Sequence, residues 1–164
     1  MIEERLKNLL LFTNSFALRH FNEGDIEDLS SLYNNKLLRE SFGWIKTNNK
    51  KYVSLLLESL INNEYMLAIQ YDENVIGCIE IEKQDINNNC RLTIVLDDKY
   101  RKIEEINEII DKLSWFFFVI EEEKRVVFSY YIYANFFENR IIDNKTYISS
   151  IDKIDIINSS PIYA

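Results

Sequence analysis

The sequence predicts an α/β domain, and three observations carry that prediction. Leu92–Leu96 is a continuous apolar, partly β-branched run, as expected of a strand buried on both faces. Beyond Asp97 and Asp98, which break the strand, Ile103, Ile106, Ile109, Ile110, Leu113, Phe116 and Phe117 recur at three- and four-residue spacing, marking one face of a long helix. Tyr65–Tyr71 and Val75–Lys83 read as two strands joined through the turn residues Asp72, Glu73 and Asn74, with Ile79 and Ile81 facing one way and Glu80 and Glu82 the other.

The remaining elements follow in order. Ile2–Phe12 reads as a leading helix with Leu6, Leu9 and Leu10 on one side, either docked or frayed. Ser15–Phe21 alternates apolar and polar residues, as a first strand does. Asn22–Asp25 is a turn, and Asp25 is placed to cap a helix that Ile26, Leu29, Leu32 and Tyr33 carry toward Asn34. Leu37–Trp44 fits no single period, and Gly43 is a break. Lys46–Lys51 is a polar loop. Tyr52–Ile61, with Leu55, Leu56, Leu57 and Leu60, is a second packed helix. Asp85–Asn89 is a polar turn. Lys124–Ala134 is a strand rich in β-branched and aromatic residues. A short helix is expected over Asn135–Ile142, then a strand or half-hairpin over Lys145–Ile157, then a tail over Ser159–Ala164.

At 164 residues the chain predicts a single domain, with its core over about residues 16–157 and the leading helix over 1–12. Its 19 basic and 27 acidic side chains give a net charge of −8. That argues against nucleic-acid and anionic-membrane surfaces, which need clustered Lys and Arg, and suits a cationic or amine substrate. Two cysteines, Cys78 and Cys90, are too few for a disulfide framework. No basic-then-apolar leader is evident, and the longest apolar run, Trp115–Ile120, is far short of the roughly 20 residues that span a bilayer. A cytoplasmic location is the expectation. Only 3 glycines and 1 proline are present, which matters because loops that cradle phosphates use glycine for close backbone approach.

Several segments in this order resemble the GNAT superfamily of N-acetyltransferases. Leu18–Asn35 (LRHFNEGDIEDLSSLYNN) is similar to the family's opening strand, turn and helix. Glu73–Lys83 (ENVIGCIEIEK), with Gly77, is similar to its hairpin. Thr93–Lys102 (TIVLDDKYRK) is similar to its fourth strand and the start of its acetyl-CoA loop, and Arg125–Arg140 (RVVFSYYIYANFFENR) to its fifth strand followed by an asparagine, here Asn135. The resemblance implies a mixed, mostly antiparallel sheet with helices on both faces. It also implies acetyl-CoA or another acyl-CoA as cofactor, with no metal, and a small-molecule or protein amine as acceptor. In the family the fourth and fifth strands splay so that pantetheine lies between them like an added strand. Backbone groups of Val95, Leu96 and Asp97 would then meet the pantetheine, and Arg101, Lys102 and Ile103 would line the phosphate end.

The family's phosphate loop follows an Arg/Gln-x-x-Gly-x-Gly/Ala pattern. Here Arg101 matches, but the glycine positions fall on Glu104 and Ile106. Glu104 and Glu105 put negative charge where a diphosphate would lie, although acids in a first helical turn also serve the helix itself. Lys99, Arg101 and Lys102 offer side-chain compensation. The family's tyrosine acid falls on Ile142, with Tyr147 nearby and off register. Glu80, Glu82 and Tyr133 are therefore the candidate catalytic residues. Solvated strand-face glutamates, and core aromatics at Tyr130, Tyr131 and Tyr133, are the ordinary alternatives. His20 reads as a surface residue and Glu121–Glu123 as a solvated helix end. Trp115–Phe118 is apolar around most of a turn, so it is either enclosed by its own fold or a contact for a second subunit in a homodimer. The losses in the loop also suit a catalytically silent GNAT-like module that binds a ligand or a protein.

Overall fold

The computed structural model describes Leu6 and residues 8–84, 89–133 and 136–158. Its strands are β1 Leu10–Phe12, β2 Phe16–His20, β3 Met66–Tyr71, β4 Asn74–Gln84, β5 Asn89–Leu96, β6 Arg125–Ile132 and β7 Phe136–Asp143. They form one seven-stranded sheet in sequence order. Every neighbouring pair is antiparallel except β5 and β6, which run parallel. A parallel pair needs a long crossover, and α4 (Ile103–Trp115) supplies it, continuing as a π-helical turn over Phe116–Ile120. The mixed, mostly antiparallel sheet is therefore as expected.

Helices cover both faces, and the alternation of side chains decides which residues meet which helix. On one face Leu67, Ile69, Ile79, Ile81, Leu92, Ile94, Leu96, Phe128 and Tyr130 are buried with Ile106, Ile109, Ile110 and Leu113 of α4. On the other, Ala68, Val75, Cys78 and Val95 are buried under α1 (Ile26–Tyr33), α2 (Lys36–Phe42) and α3 (Tyr52–Ile61), through Leu29, Leu32, Leu38, Leu57 and Leu60. Arg19 forks onto Asp25 with bonds of 2.9 and 2.8 Å. Asp25 in turn accepts from the Asn22 N–H at 2.8 Å, which fixes how the chain leaves β2 and enters α1. Gly43 ends α2 at φ 69°, a left-handed conformation that glycine adopts without a steric cost.

Four expectations need correcting. Leu10–Phe12, expected to close a leading helix, is strand β1 paired with β2; most of the remainder of that segment lies outside the described residues. The short helix expected to Ile142 is strand β7: the alternation of Phe137, Asn139 and Ile141 with Glu138, Arg140 and Ile142 suits a two-residue period, and Tyr133 at φ 53° reverses the chain. Ala134 and Asn135 themselves lie outside the described residues, as do residues 85–88 of the polar turn and the tail over Ser159–Ala164. The strand expected over Lys145–Ile157 is helix α5 (Asn144–Asn158), whose start is fixed by the Thr146 N–H donating to Asp143 Oδ1 at 2.8 Å. Tyr147, Ile148, Ile151 and Ile154 also fit a helical period, and the local cap favours that reading. Finally, Glu123 is not solvated. It is buried and paired with Lys83.

Most of the aromatic helix end is enclosed by its own fold, while Trp115 is 39% exposed. Phe116, Phe117 and Phe118 are buried, and Tyr147 of α5 covers Phe118 with ring centroids 5.2 Å apart. His20 is half-buried, which holds its imidazole below the ordinary value.

Candidate functional site

The ladder between β5 and β6, the strands that the resemblance singles out, stops short of the strand ends. β5 and β6 are in register from Asn89 and Arg125 as far as Ile94 and Tyr130, and no further. Val95 and Leu96 of β5, and Tyr131 and Ile132 of β6, continue as strand without facing each other across a ladder. The Asp97 N–H donates to the Ile76 carbonyl at 2.7 Å, toward β4. Backbone groups alternate between the two sides of a strand, so those of Leu96 point the other way, into the gap beside β6. Leu96 and Gly77 form the close, non-bonded pair of that ladder. A Cβ on Gly77 would lie 2.5 Å from the Val95 carbonyl oxygen and 3.0 Å from the Leu96 Cα, so the strand glycine keeps the wall of the gap in place.

The gap is bridged by Arg101. Its Nε donates to the Leu96 carbonyl at 2.7 Å, and its Nη2 meets Asp98 Oδ1 at 2.7 Å and Asn35 Oδ1 at 3.5 Å. The Arg101 backbone carbonyl accepts from the Tyr133 N–H at 2.5 Å, tying the turn after β5 to the end of β6. The side chain is only 2% exposed. Burial lowers its affinity for the proton, while Asp98, Asp97 and Tyr131 oppose that effect. Asn35, which caps α2 by accepting from Leu37 and Leu38, also donates to Asp97 and Asp98 at 3.4 and 3.1 Å. A cavity of ≈ 390 Å³ lies beside this network, lined by Asn34, Asn35, Lys36, Leu37, Glu40, Asp98 and Arg101.

Of the expected cofactor-binding residues, Val95 and Leu96 are buried walls of the gap. Asp97 caps the turn by accepting from the Asp98 N–H at 2.9 Å. Lys102 is exposed and precedes α4 without a side-chain cap, and Ile103 packs against the core. Glu104 and Ile106, which fall on the glycine positions of the family pattern, lie inside α4 rather than in a loop. Glu104 is exposed and Ile106 is buried in the core, so both serve the helix.

The candidate catalytic residues separate. Tyr133 is 61% exposed and enters the site through its backbone N–H. Ile142, the position expected for the family's acid, is half-buried on β7, and Tyr147 packs on Phe118. Glu80 lies on the face shared with α1–α3, because Cys78, two residues earlier, is buried there. It is half-buried, and burial together with a side-chain hydrogen bond and repulsion from Glu82 raises its carboxyl above the ordinary range. Glu82 is exposed and acts on Glu80 as that neighbour.

Register extends the site beyond the residues expected from sequence. Glu80 faces Thr93, Thr93 faces Ser129, and Ser129 faces Asn139. The four form a polar row across β4, β5, β6 and β7 on one face, with the Ser129 hydroxyl and the Asn139 side-chain oxygen 2.6 Å apart. Thr93 directly precedes Ile94, the last residue of β5 in register with β6. Tyr131, on the same face, packs against Phe137 with the rings tilted and centroids 5.0 Å apart. Among the described residues no group of three or more His, Cys, Asp or Glu is placed to hold a metal ion, and no helix is long and apolar enough to cross a membrane.

No protein-family model matches the chain, and no curated protein does. Solved structures do match. An acetyltransferase of the GNAT family from Bacillus anthracis is 11% identical, with 74% of this chain and 73% of that one covered at a TM-score of 0.61. Spermidine N-acetyltransferase from Vibrio cholerae, solved in complex with CoA and spermine, is 13% identical over 82% of this chain and 98% of its own, with a TM-score of 0.58. A dodecameric structure of spermidine N-acetyltransferase from the same organism is 14% identical over 83% and 98%, also with a TM-score of 0.58. The chain has the fold of the GNAT acetyltransferases.

Proposed function

We propose that this chain, built on the GNAT acetyltransferase fold, is an acyl-CoA-dependent N-acyltransferase that moves an acetyl or similar acyl group to an amine. The observation that carries the reading is the parting of β5 and β6 after Ile94 and Tyr130, with the backbone of Leu96 turned into the gap and Glu80 on the adjoining face. Acyl-CoA supplies the activated acyl group as a thioester. The residues fit its pantetheine arm once the Arg101 side chain leaves the Leu96 carbonyl, because the arm's amides pair with that backbone whatever side chains the strand carries. Lys99 and Lys102 are the cations nearest the phosphate end once Arg101 is displaced.

Glu80 is the base. Its raised pKa brings it nearer the pH at which an acceptor ammonium gives up a proton, and Thr93, Ser129 and Asn139 extend from it as a polar floor for the acceptor. The net charge of −8 and the Glu80–Glu82 pair favour a cationic amine, the class to which the substrate of the structurally similar spermidine N-acetyltransferase belongs.

A second reading, a catalytically silent GNAT-like module, is favoured by the bonds Arg101 makes across the gap. Thiol release from acetyl-CoA in the presence of a panel of amines, spermidine among them, separates the two. Release that depends on the amine and falls in Glu80→Gln supports the acyltransferase. Binding of acetyl-CoA without release under any amine supports the silent module.

A further inference from the structure

Among the described residues the sheet ends in a long open edge. β1, at one side, is three residues long. β7, at the other, is eight residues long and pairs only with β6 among the described strands. An unpaired edge of this length is normally shortened, bulged or covered. Here it carries exposed apolar side chains instead: Phe136 is 65% exposed, Phe137 47% and Ile141 66%. The N–H of Asn144 donates to the Lys124 carbonyl at 2.8 Å, which fixes the phase of the β6–β7 ladder. In that phase Phe137, Asn139 and Ile141 turn their backbone N–H and C=O groups away from β6, toward the free edge.

We infer that this edge pairs with β7 of a second copy of the chain, antiparallel about a two-fold axis through Asn139, so that two sheets become one. The sequence of β7 is self-complementary in this register. Asn139 meets itself, and Phe137 meets Ile141 of the second copy. These are the positions whose backbone groups face outward, so they form the bonded pairs. Between them, Glu138 faces Arg140 of the second copy at the closer, non-bonded spacing, and the dyad repeats that opposite-charge pair. A two-fold interface needs such a self-complementary patch. Shifting the register by two residues places Glu138 opposite Glu138 or Arg140 opposite Arg140, so charge selects one alignment. The pairing brings the polar rows ending at Asn139 in the two copies side by side, and is independent of whether those rows serve catalysis.

Light scattering on a sizing column tests this with a charge exchange. The wild-type chain at tens of micromolar is expected at twice the 19.6 kDa monomer mass. Glu138→Arg and Arg140→Glu, each bringing like charges together twice, are expected as monomers. Mixed in equal amounts they are expected to return to the dimer mass, because each then meets its opposite. Both side chains also bond within the chain, Glu138 to Tyr130 and Arg140 to Asn107. Asn139→Pro therefore gives a second test: apart from the side-chain bond to Ser129 it removes an outward N–H and none that faces β6, and it is expected to leave a folded monomer by circular dichroism. A monomeric wild type overturns the inference. So does a dimer or larger assembly that Asn139→Pro leaves intact, or single variants that become monomers yet fail to combine.

Discussion

The guanidinium of Arg101 lies 2.7 Å from the carbonyl oxygen of Leu96, inside the gap where β5 and β6 part. The sequence pattern puts this arginine at the phosphate end of a cofactor site; the fold turns its side chain inward, to the backbone that a bound pantetheine would use. Arg101 is therefore a stopper as well as a cation. Arg101→Ala should lose the Leu96 and Asp98 bonds and cost about 1–3 kcal/mol of stability, the range for stranding a buried polar partner. It should also raise the stabilisation that acetyl-CoA confers. Urea unfolding with and without the ligand separates the two effects.

Gly77 tests the wall of the gap. Alanine there would set its Cβ 2.5 Å from the Val95 carbonyl oxygen, which is backbone and can move only with β5. The expected loss is about 1–3 kcal/mol, as for overpacked sites, read as a lower urea midpoint with an unchanged slope.

Glu80 carries a pH signature. Its folded carboxyl holds the proton more tightly than the unfolded one, because burial and Glu82 disfavour the charge. Ionising it therefore costs folding free energy. That cost is absent at pH well below the unfolded value of about 4.3 and is fully present above the raised folded value. Glu80→Gln should raise the melting temperature at pH 7, with the difference vanishing in acid. In turnover the same variant should lose roughly 10²-fold or more in kcat, and the wild-type kcat/KM should rise with pH through an inflection above the ordinary carboxylate value.

The two thiols should be silent in the folded chain. Cys78 and Cys90 are fully buried. Burial and the nearby Glu123 push Cys90 up to about 12, and burial raises Cys78 further. Since the thiolate is the reactive form, a thiol reagent should modify neither until urea unfolds the protein. Fast modification of the native chain would contradict this burial. The same silence leaves released CoA as the thiol detected in the activity assay.

Much of this fold is written in local periods. Ile103 to Phe117 declares α4, and Asp72-Glu73-Asn74 declares the β3–β4 hairpin, because helices and hairpins are settled by neighbours in sequence. FFENRIID and the segment after Asn144 each fit two periods, so local pattern settles neither β7 nor α5; the turn at Tyr133 and the cap from Asp143 decide between strand and helix. The site was less legible. Gly77 and Arg101 stood out by residue type, but the direction of the Arg101 side chain depends on Leu96, Asp98 and Asn35, which only the folded chain assembles. The row Glu80–Thr93–Ser129–Asn139 had no local signal at all, since it comes from the register of four strands up to 59 positions apart in sequence. Glu80 alone was visible, as a carboxylate on an alternating strand.

The most direct test of the account is calorimetric titration of acetyl-CoA into the wild-type chain and into Arg101→Ala. If the parted strands form a thioester slot that Arg101 stoppers, both should bind one equivalent per chain, and the variant should bind several-fold more tightly. Absence of binding to both at millimolar ligand, with both folded by circular dichroism, would leave the fold standing and remove its proposed chemistry.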